Sequence, residues 1–289
     1  MNGNRQGQEV RMRANAIEIR QLTKTYGKNR GVEDLSLTVE EGDIFGFLGP
    51  NGAGKSTTIR CMLGMLKFGQ GEIILLGKDS VREQKEILRQ TGYMPSETAF
   101  YPGMKAGEII RFAAEARGLD CREEAGRLCE ELEVDKGKRV EELSLGNRKK
   151  ISIVCALQHR PRLLVLDEPT SGLDPLMQEV FFRLLREANN RGTTVFLSSH
   201  VLSEVQRYCK NAAIIRQGRL VRKDTVENLT KSRLRRVKLW ENGQEQEFDY
   251  TGSMKELLRR LADRELDDLL IQEPTLDEMF RHYYETEET

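Results

Sequence analysis

Apolar and polar residues alternate with a period of two over residues 17–22 and 32–39, which predicts antiparallel strands with one wet face. Residues 43–48 form a mostly apolar strand that runs into a glycine-rich stretch, and 55–66 follow with helical character. From 81 to about 157 the pattern is chiefly helical, with acidic and basic residues on the outer faces. Two further apolar strands are predicted at 163–166 and 193–197. Between them Leu176, Val180, Phe181, Leu184 and Leu185 recur at helical spacing. Strand, helix, strand with short links predicts an α/β fold, a parallel sheet covered by helices. A strand at 212–215 and a turn at Gln217-Gly218 come next.

The character changes after about residue 221. Runs at 234–240 and 245–250 flank Asn242-Gly243, a strong hairpin signal. An amphipathic helix is predicted over 253–262, and Pro274-Thr275 opens a last one, with Thr275 and Glu278 spaced as a capping box. The expected layout is a disordered tail over 1–14, a main domain over 15–222 with a helical subdomain at about 90–150, and a small α+β accessory domain over 223–289.

Charge changes the picture by exclusion. Lys and Arg total 46, as do Asp and Glu, so the net charge is zero. Such a chain has no global field to gather nucleic acid, and no nucleic-acid partner is expected. The short basic run Arg233, Arg235, Arg236 and Lys238 reads as a solvated strand face. No apolar run approaches the ~20 residues that cross a bilayer, and the polar N-terminus has no secretory h-region. The five cysteines are odd in number and lack CxxC spacing, so they read as reduced thiols of a cytoplasmic protein.

Candidate chemistry begins at Gly49-Pro50-Asn51-Gly52-Ala53-Gly54-Lys55-Ser56, which fits G-x-x-x-x-G-K-[ST] between an apolar strand and a helix. Its glycines let backbone N–H groups converge on phosphate oxygens, and the helix N-terminus adds a positive end. Lys55 is expected on the β- and γ-phosphates of ATP, Ser56 on Mg²⁺, and Thr57 beside them in the nucleotide-binding set. Downstream, the strand at 163–166 ends in Asp167-Glu168. There Asp167 is placed to hold Mg²⁺ through water, and Glu168 to orient or deprotonate an attacking water.

Asp167-Glu168 continues into Pro169-Thr170-Ser171-Gly172-Leu173-Asp174. Leu143-Ser144-Leu145-Gly146-Asn147 opens a helix before it, and Ser198-Ser199-His200 ends the next strand. In this order and spacing the chain resembles the nucleotide-binding subunit of an ABC transporter, from Ile17 to about Val221. The resemblance implies a P-loop NTPase of ABC type, with an antiparallel β subdomain and a helical subdomain. It implies that Tyr26 stacks on adenine and that His200 contacts the γ-phosphate and orients water. It also implies that Ser144 and Gly146 contact the γ-phosphate held by a second copy, and that Asp174 helps join the two copies. His159 and His282 match nothing and read as structural.

Two departures from the family pattern stand out. Leu145 and Asn147 occupy the third and fifth places of a signature usually Leu-Ser-Gly-Gly-Gln. Ser96, in Gly92-Tyr93-Met94-Pro95-Ser96-Glu97, stands where the family places a Gln that senses Mg²⁺ and relays to the membrane partner. Neither Ser96 nor Glu97 is assigned that role. Tyr93-Met94-Pro95, Leu145-Gly146-Asn147 and the closing Glu273-Pro274-Thr275-Leu276-Asp277-Glu278-Met279-Phe280 are similar to the subunits that energise bacterial drug, antibiotic or lipid exporters. That implies a homodimer on the cytoplasmic face of the membrane, working through a separate integral-membrane permease that docks near Phe100, Tyr101 and Met104. An apolar patch at those three positions reads equally well as core. The competing readings are a soluble ABC ATPase of translation or DNA repair, and the ATPase of an importer.

Overall fold

The structure, a computed structural model, describes residues 14–27, 29–230, 235–262 and 264–272. The expected tail, the helix from 274, and His282 lie outside the described residues. The chain begins with β1 (Asn15–Tyr26), β2 (Asn29–Glu40), β3 (Ile44–Leu48) and α1 (Lys55–Met62). It continues through β4 (Gln70–Leu75), β5 (Lys78–Asp79), α2 (Gln84–Gln90) and β6 (Thr91–Met94). A helical stretch follows: α3 (Ala106–Glu115), α4 (Arg122–Glu131) and α5 (Leu145–Leu157). Then come β7 (Leu163–Asp167), α6 (Pro175–Asn190), β8 (Thr194–Ser199), α7 (Leu202–Tyr208), β9 (Asn211–Arg216), β10 (Arg219–Thr225) and α8 (Val226–Thr230). The last described elements are β11 (Arg235–Glu241), β12 (Gln244–Tyr250), α9 (Met254–Leu261) and β13 (Asp268–Gln272).

The six-stranded sheet runs β10-β9-β3-β8-β7-β6. Five of its strands are parallel, and β10 closes one edge antiparallel to β9. Parallel strands with both faces covered read as unbroken apolar runs, and β7 shows why. Leu163 and Val165 face a core shared with Phe45, Phe47, Phe196 and the antiparallel sheet β2-β1-β4-β5. Leu164 and Leu166 face the other core, shared with α5 and α6. All four are buried. Phe196 stacks on Phe45 at a centroid distance of 6.0 Å and packs tilted against Phe47 at 5.3 Å. Burying each such side chain stabilises by roughly 1.5–3 kcal/mol.

The expected alternation at 17–22 and 32–39 appears as the antiparallel β1–β2 pair, with Ile17, Ile19, Leu35, Leu37 and Val39 inside. The expectation of chiefly helical structure from 81 to 157 needs correction: β6 crosses it as an edge strand beside β7. At four residues it is too short for a period to register, and pairing alone defines it. Leu176 also differs from expectation. It keeps helical spacing with Val180 but is 76% exposed, because α6 has only begun and turns this side outward. Phe100 and Met104 pack on the core edge, whereas Tyr101 is exposed.

The division expected at 222 falls inside β10, which stays paired with β9 to Thr225. After it, β11 and β12 form the expected hairpin, with Asn242 (φ 53°) and Gly243 (φ 74°) in its turn. The left-handed pair is what a tight two-residue hairpin requires. β13 adds a third strand on the other side of β11, one the sequence pattern did not signal. The core of this unit is Val237, Leu239, Leu257 and Leu261. Arg236 faces Glu247 and Asp249, and Lys238 faces Glu245 and Glu247, so these two bases of the run are paired with carboxylates across the hairpin.

Candidate functional site

The sheet gathers the motifs. Leu48, which ends β3, pairs with Ser199 at the end of β8, and Asp167, which ends β7, pairs with Ser198. Three parallel strands therefore deliver the glycine-rich loop, the acidic pair and His200 to one edge. The backbone N–H of Gly49 donates to the Ser199 carbonyl at 3.2 Å, tying the loop to β8. A cavity of about 260 Å³ opens there, lined by Tyr26, Gly31, residues 50–57, Ser96 and Glu168.

Within the loop, Gly54 is the N-cap of α1 at φ 109°, a backbone state that L side chains avoid. The first turn of α1 thus points free N–H groups at the cavity. Lys55 is 5% exposed, and its ammonium donates to the Gly49 and Pro50 carbonyls at 2.6 and 3.1 Å. It also lies 3.0 Å from Glu168 Oε1, an ion pair without hydrogen-bond alignment. Ser56 and Thr57 are half-buried in the cavity wall. Tyr26, at the end of β1, is 45% exposed, and Lys24 Nζ sits 5.0 Å from its ring centroid.

Glu168 links the two sides of the site. Its Oε2 is 2.7 Å from His200 Nδ1 while its Oε1 faces Lys55. Its backbone takes a positive φ of 49°, and its N–H donates to the Ser198 carbonyl at 3.3 Å and the Ser198 hydroxyl at 3.1 Å. That hydroxyl donates in turn to Asp167 Oδ1 at 2.7 Å. Asp167 is fully buried, and its other oxygen, Oδ2, has no hydrogen-bond partner. A buried carboxylate oxygen left unpaired is costly unless something binds it. An oxygen-seeking divalent cation meets that need, and Mg²⁺ typically uses one or two protein groups together with substrate phosphates. Asp167 Oδ2 and the Ser56 hydroxyl are oxygen donors of the kind such a cation takes.

Ser144, Gly146 and Asp174 lie elsewhere: none lines the cavity. Ser144 is the N-cap of α5, and its hydroxyl accepts from the Asn147 N–H at 3.3 Å. Asp174 is the N-cap of α6, and its Oδ1 accepts from the Met177 N–H at 3.0 Å. The two caps are neighbours, because a Cβ on Gly146 would stand 2.7 Å from the Gly172 carbonyl oxygen. Ser144 and Asp174 are exposed, as are Leu145 (51%) and Leu176 (76%). His159 is away from the cavity; burial and the nearby Arg117 charge lower its pKa to about 4, so it is neutral.

Sequence reasoning missed three participants. Gly31 lines the cavity from β2. Ser198 holds both acidic residues, and its position in Ser198-Ser199-His200 was the available signal. Lys149, on α5, is buried and donates to the Ser96 carbonyl at 2.7 Å, which no local pattern announces.

Comparison with known proteins agrees with this arrangement. Residues 32–171 match the family described as ABC transporter. The bacitracin transport ATP-binding protein BcrA of Bacillus licheniformis is 38% identical, over 74% of this chain and 71% of that protein. The linearmycin resistance ATP-binding protein LnrL of Bacillus subtilis (strain 168) is 35% identical, over 71% and 68%. A solved ATP-binding subunit of an ABC transporter superposes with a TM-score of 0.72 at 26% identity, covering 93% of this chain and 99% of that one. With the phosphate loop, the acidic strand end and the histidine gathered at one sheet edge, and with relatives this similar over most of their length, the chain belongs to the ABC transporter family as an ATP-binding subunit, an ATPase.

Proposed function

We propose that this chain hydrolyses ATP at a site completed by a second copy of itself, and that it thereby powers export through a separate membrane permease. The observation that carries the site reading is Glu168, held between Lys55 and His200 at the mouth of the phosphate loop. ATP entering the cavity stacks its base on Tyr26 and lays its phosphates on N–H groups among residues 51–57. Lys55 then exchanges the Gly49 and Pro50 carbonyls for phosphate oxygens. Asp167 and Ser56 would hold Mg²⁺, and the ion would supply positive charge to the phosphates. Glu168, freed from Lys55, accepts a proton from the attacking water. His200 donates through Nδ1 to Glu168, which fixes the orientation of its ring toward the γ-phosphate.

Ser144, Leu145, Asp174 and Leu176 are exposed, and Gly146 is half-buried against Gly172. A second copy presenting these residues would close over the nucleotide, with the α5 N-terminus and the Ser144 hydroxyl aimed at its terminal phosphate. Export is supported by the names of the bacitracin transport and linearmycin resistance relatives. No helix among the described residues is long and apolar enough to cross a membrane. On this reading the subunit is peripheral, on the cytoplasmic face. Affinity purification from detergent-extracted membranes should recover a multi-helix membrane protein with this chain, and light scattering should show ATP-dependent dimers. Recovery only with ribosomes or DNA would overturn the transporter reading, and recovery with a substrate-binding protein would favour import.

A further inference from the structure

Lys149 is a buried lysine, 1% exposed, on the second turn of α5. Burying an ammonium is costly unless its charge and its donors are used. Here its Nζ donates to one backbone carbonyl, that of Ser96, at 2.7 Å. Ser96 lines the nucleotide cavity directly after β6. One turn along the same face of α5, the Ser152 hydroxyl donates to Thr98 Oγ1 at 3.3 Å. The helix that begins at Ser144 is thus fastened twice to the loop that flanks the cavity. Burial lowers the Lys149 pKa, and the negative charges that oppose this are Asp167 and Glu168. The ammonium therefore sits in the field of both carboxylates.

We propose that Lys149 is a positioning residue for ATP hydrolysis: it holds the 95–98 loop between α5 and the Asp167–Glu168 end of β7, and so sets turnover without setting nucleotide affinity. The role rests on the site reading above. The phosphate loop makes its contacts independently of Lys149, so ATP still binds when Lys149 is replaced. The loop, α5 and the acidic strand end reach their hydrolytic arrangement only when Ser96 is held. Because α5 also carries Ser144, the same tie links the cavity of one copy to the face that it offers another.

The test compares Lys149→Met, which fills the space without a donor, with Lys149→Gln, which keeps a donor without the charge. Steady-state ATPase kinetics should show kcat for Lys149→Met lowered roughly tenfold or more, the scale of one lost charge-assisted hydrogen bond, with KM for ATP within about threefold of wild type. Lys149→Gln should recover a large part of kcat, and both variants should melt as cooperatively as wild type. An unchanged kcat in Lys149→Met overturns the proposal. So does an equal loss in both variants with parallel loss of nucleotide binding or of the melting transition, which marks a purely structural role. Glu168→Gln in the same assay reports on the site reading separately. If Glu168→Gln stalls while Lys149→Met turns over normally, only the role of Lys149 fails; if Glu168→Gln turns over normally, the site reading fails.

Discussion

Replacing Glu168 by Gln probes the link that organises the site. Its carboxylate is shared between Lys55, 3.0 Å away, and His200, 2.7 Å away. Unit charges 3.0 Å apart attract by roughly 5 kcal/mol at an effective dielectric of about 20. Desolvation of the two mostly buried groups offsets most of this, leaving on the order of 1 kcal/mol. ATP must displace that pairing in the wild type, and Gln removes the charged half of it. Binding in Glu168→Gln should therefore be unchanged or up to about fivefold tighter. Hydrolysis should fall by roughly 10²–10⁴, about 3–5 kcal/mol on the barrier, the contribution of a positioned general base. Titration with a fluorescent ATP analogue gives the affinity, phosphate release gives kcat, and light scattering reports the ATP-held dimer, which should accumulate. Wild-type turnover in this variant would refute the assignment of Glu168 as base. A tenfold or greater loss of affinity would refute the claim that its ion pair with Lys55 competes with nucleotide.

Three further outcomes follow from neighbouring geometry. Ser198→Ala removes the hydroxyl that donates to Asp167 at 2.7 Å and accepts from the Glu168 N–H; kcat should drop about tenfold, with a higher Mg²⁺ requirement in a metal titration. Gly146→Ala places a methyl 2.7 Å from the Gly172 carbonyl oxygen, so ATP binding by the isolated chain should persist while ATP-dependent dimerisation and turnover fall, as read by light scattering and phosphate release. His159 has its pKa lowered to about 4 from 6.5 by burial. Its contribution to stability is therefore present above pH 6.5 and lost as the pH falls to about 4, by up to ~3 kcal/mol. Urea titrations at pH 7.5 and 4.5 should show a smaller acid-induced loss for His159→Leu than for wild type, and equal losses would refute this.

Local signals carried much of the reading because the relevant physics is local. The phosphate loop is legible at 49–56 since one continuous stretch must supply the turn, the helix N-terminus, Lys55 and Ser56. The hairpin at Asn242-Gly243 is legible because two adjacent left-handed residues demand that pair. The buried strands at 44–48, 163–167 and 194–199 are legible as apolar runs, because both faces of a parallel sheet are covered.

What the chain alone withheld depends on contacts between distant residues. β6 exists by pairing with β7, and β13 by pairing with β11, with too few residues in either for a period. That β8 stands between β3 and β7 is a matter of sheet order, and it is why Ser198 can hold Asp167 and Glu168 while Ser199 accepts from Gly49. Lys149 reads in sequence as one of several bases after a signature motif, yet burial against the 95–98 loop gives it a partner 53 residues away. The sequence by itself determined where the nucleotide-binding motifs stand along the chain, since each is a short run with its own geometry. The tertiary structure decided which of them meet in one cavity and which face outward, because strand order and helix packing set distances that no local pattern encodes.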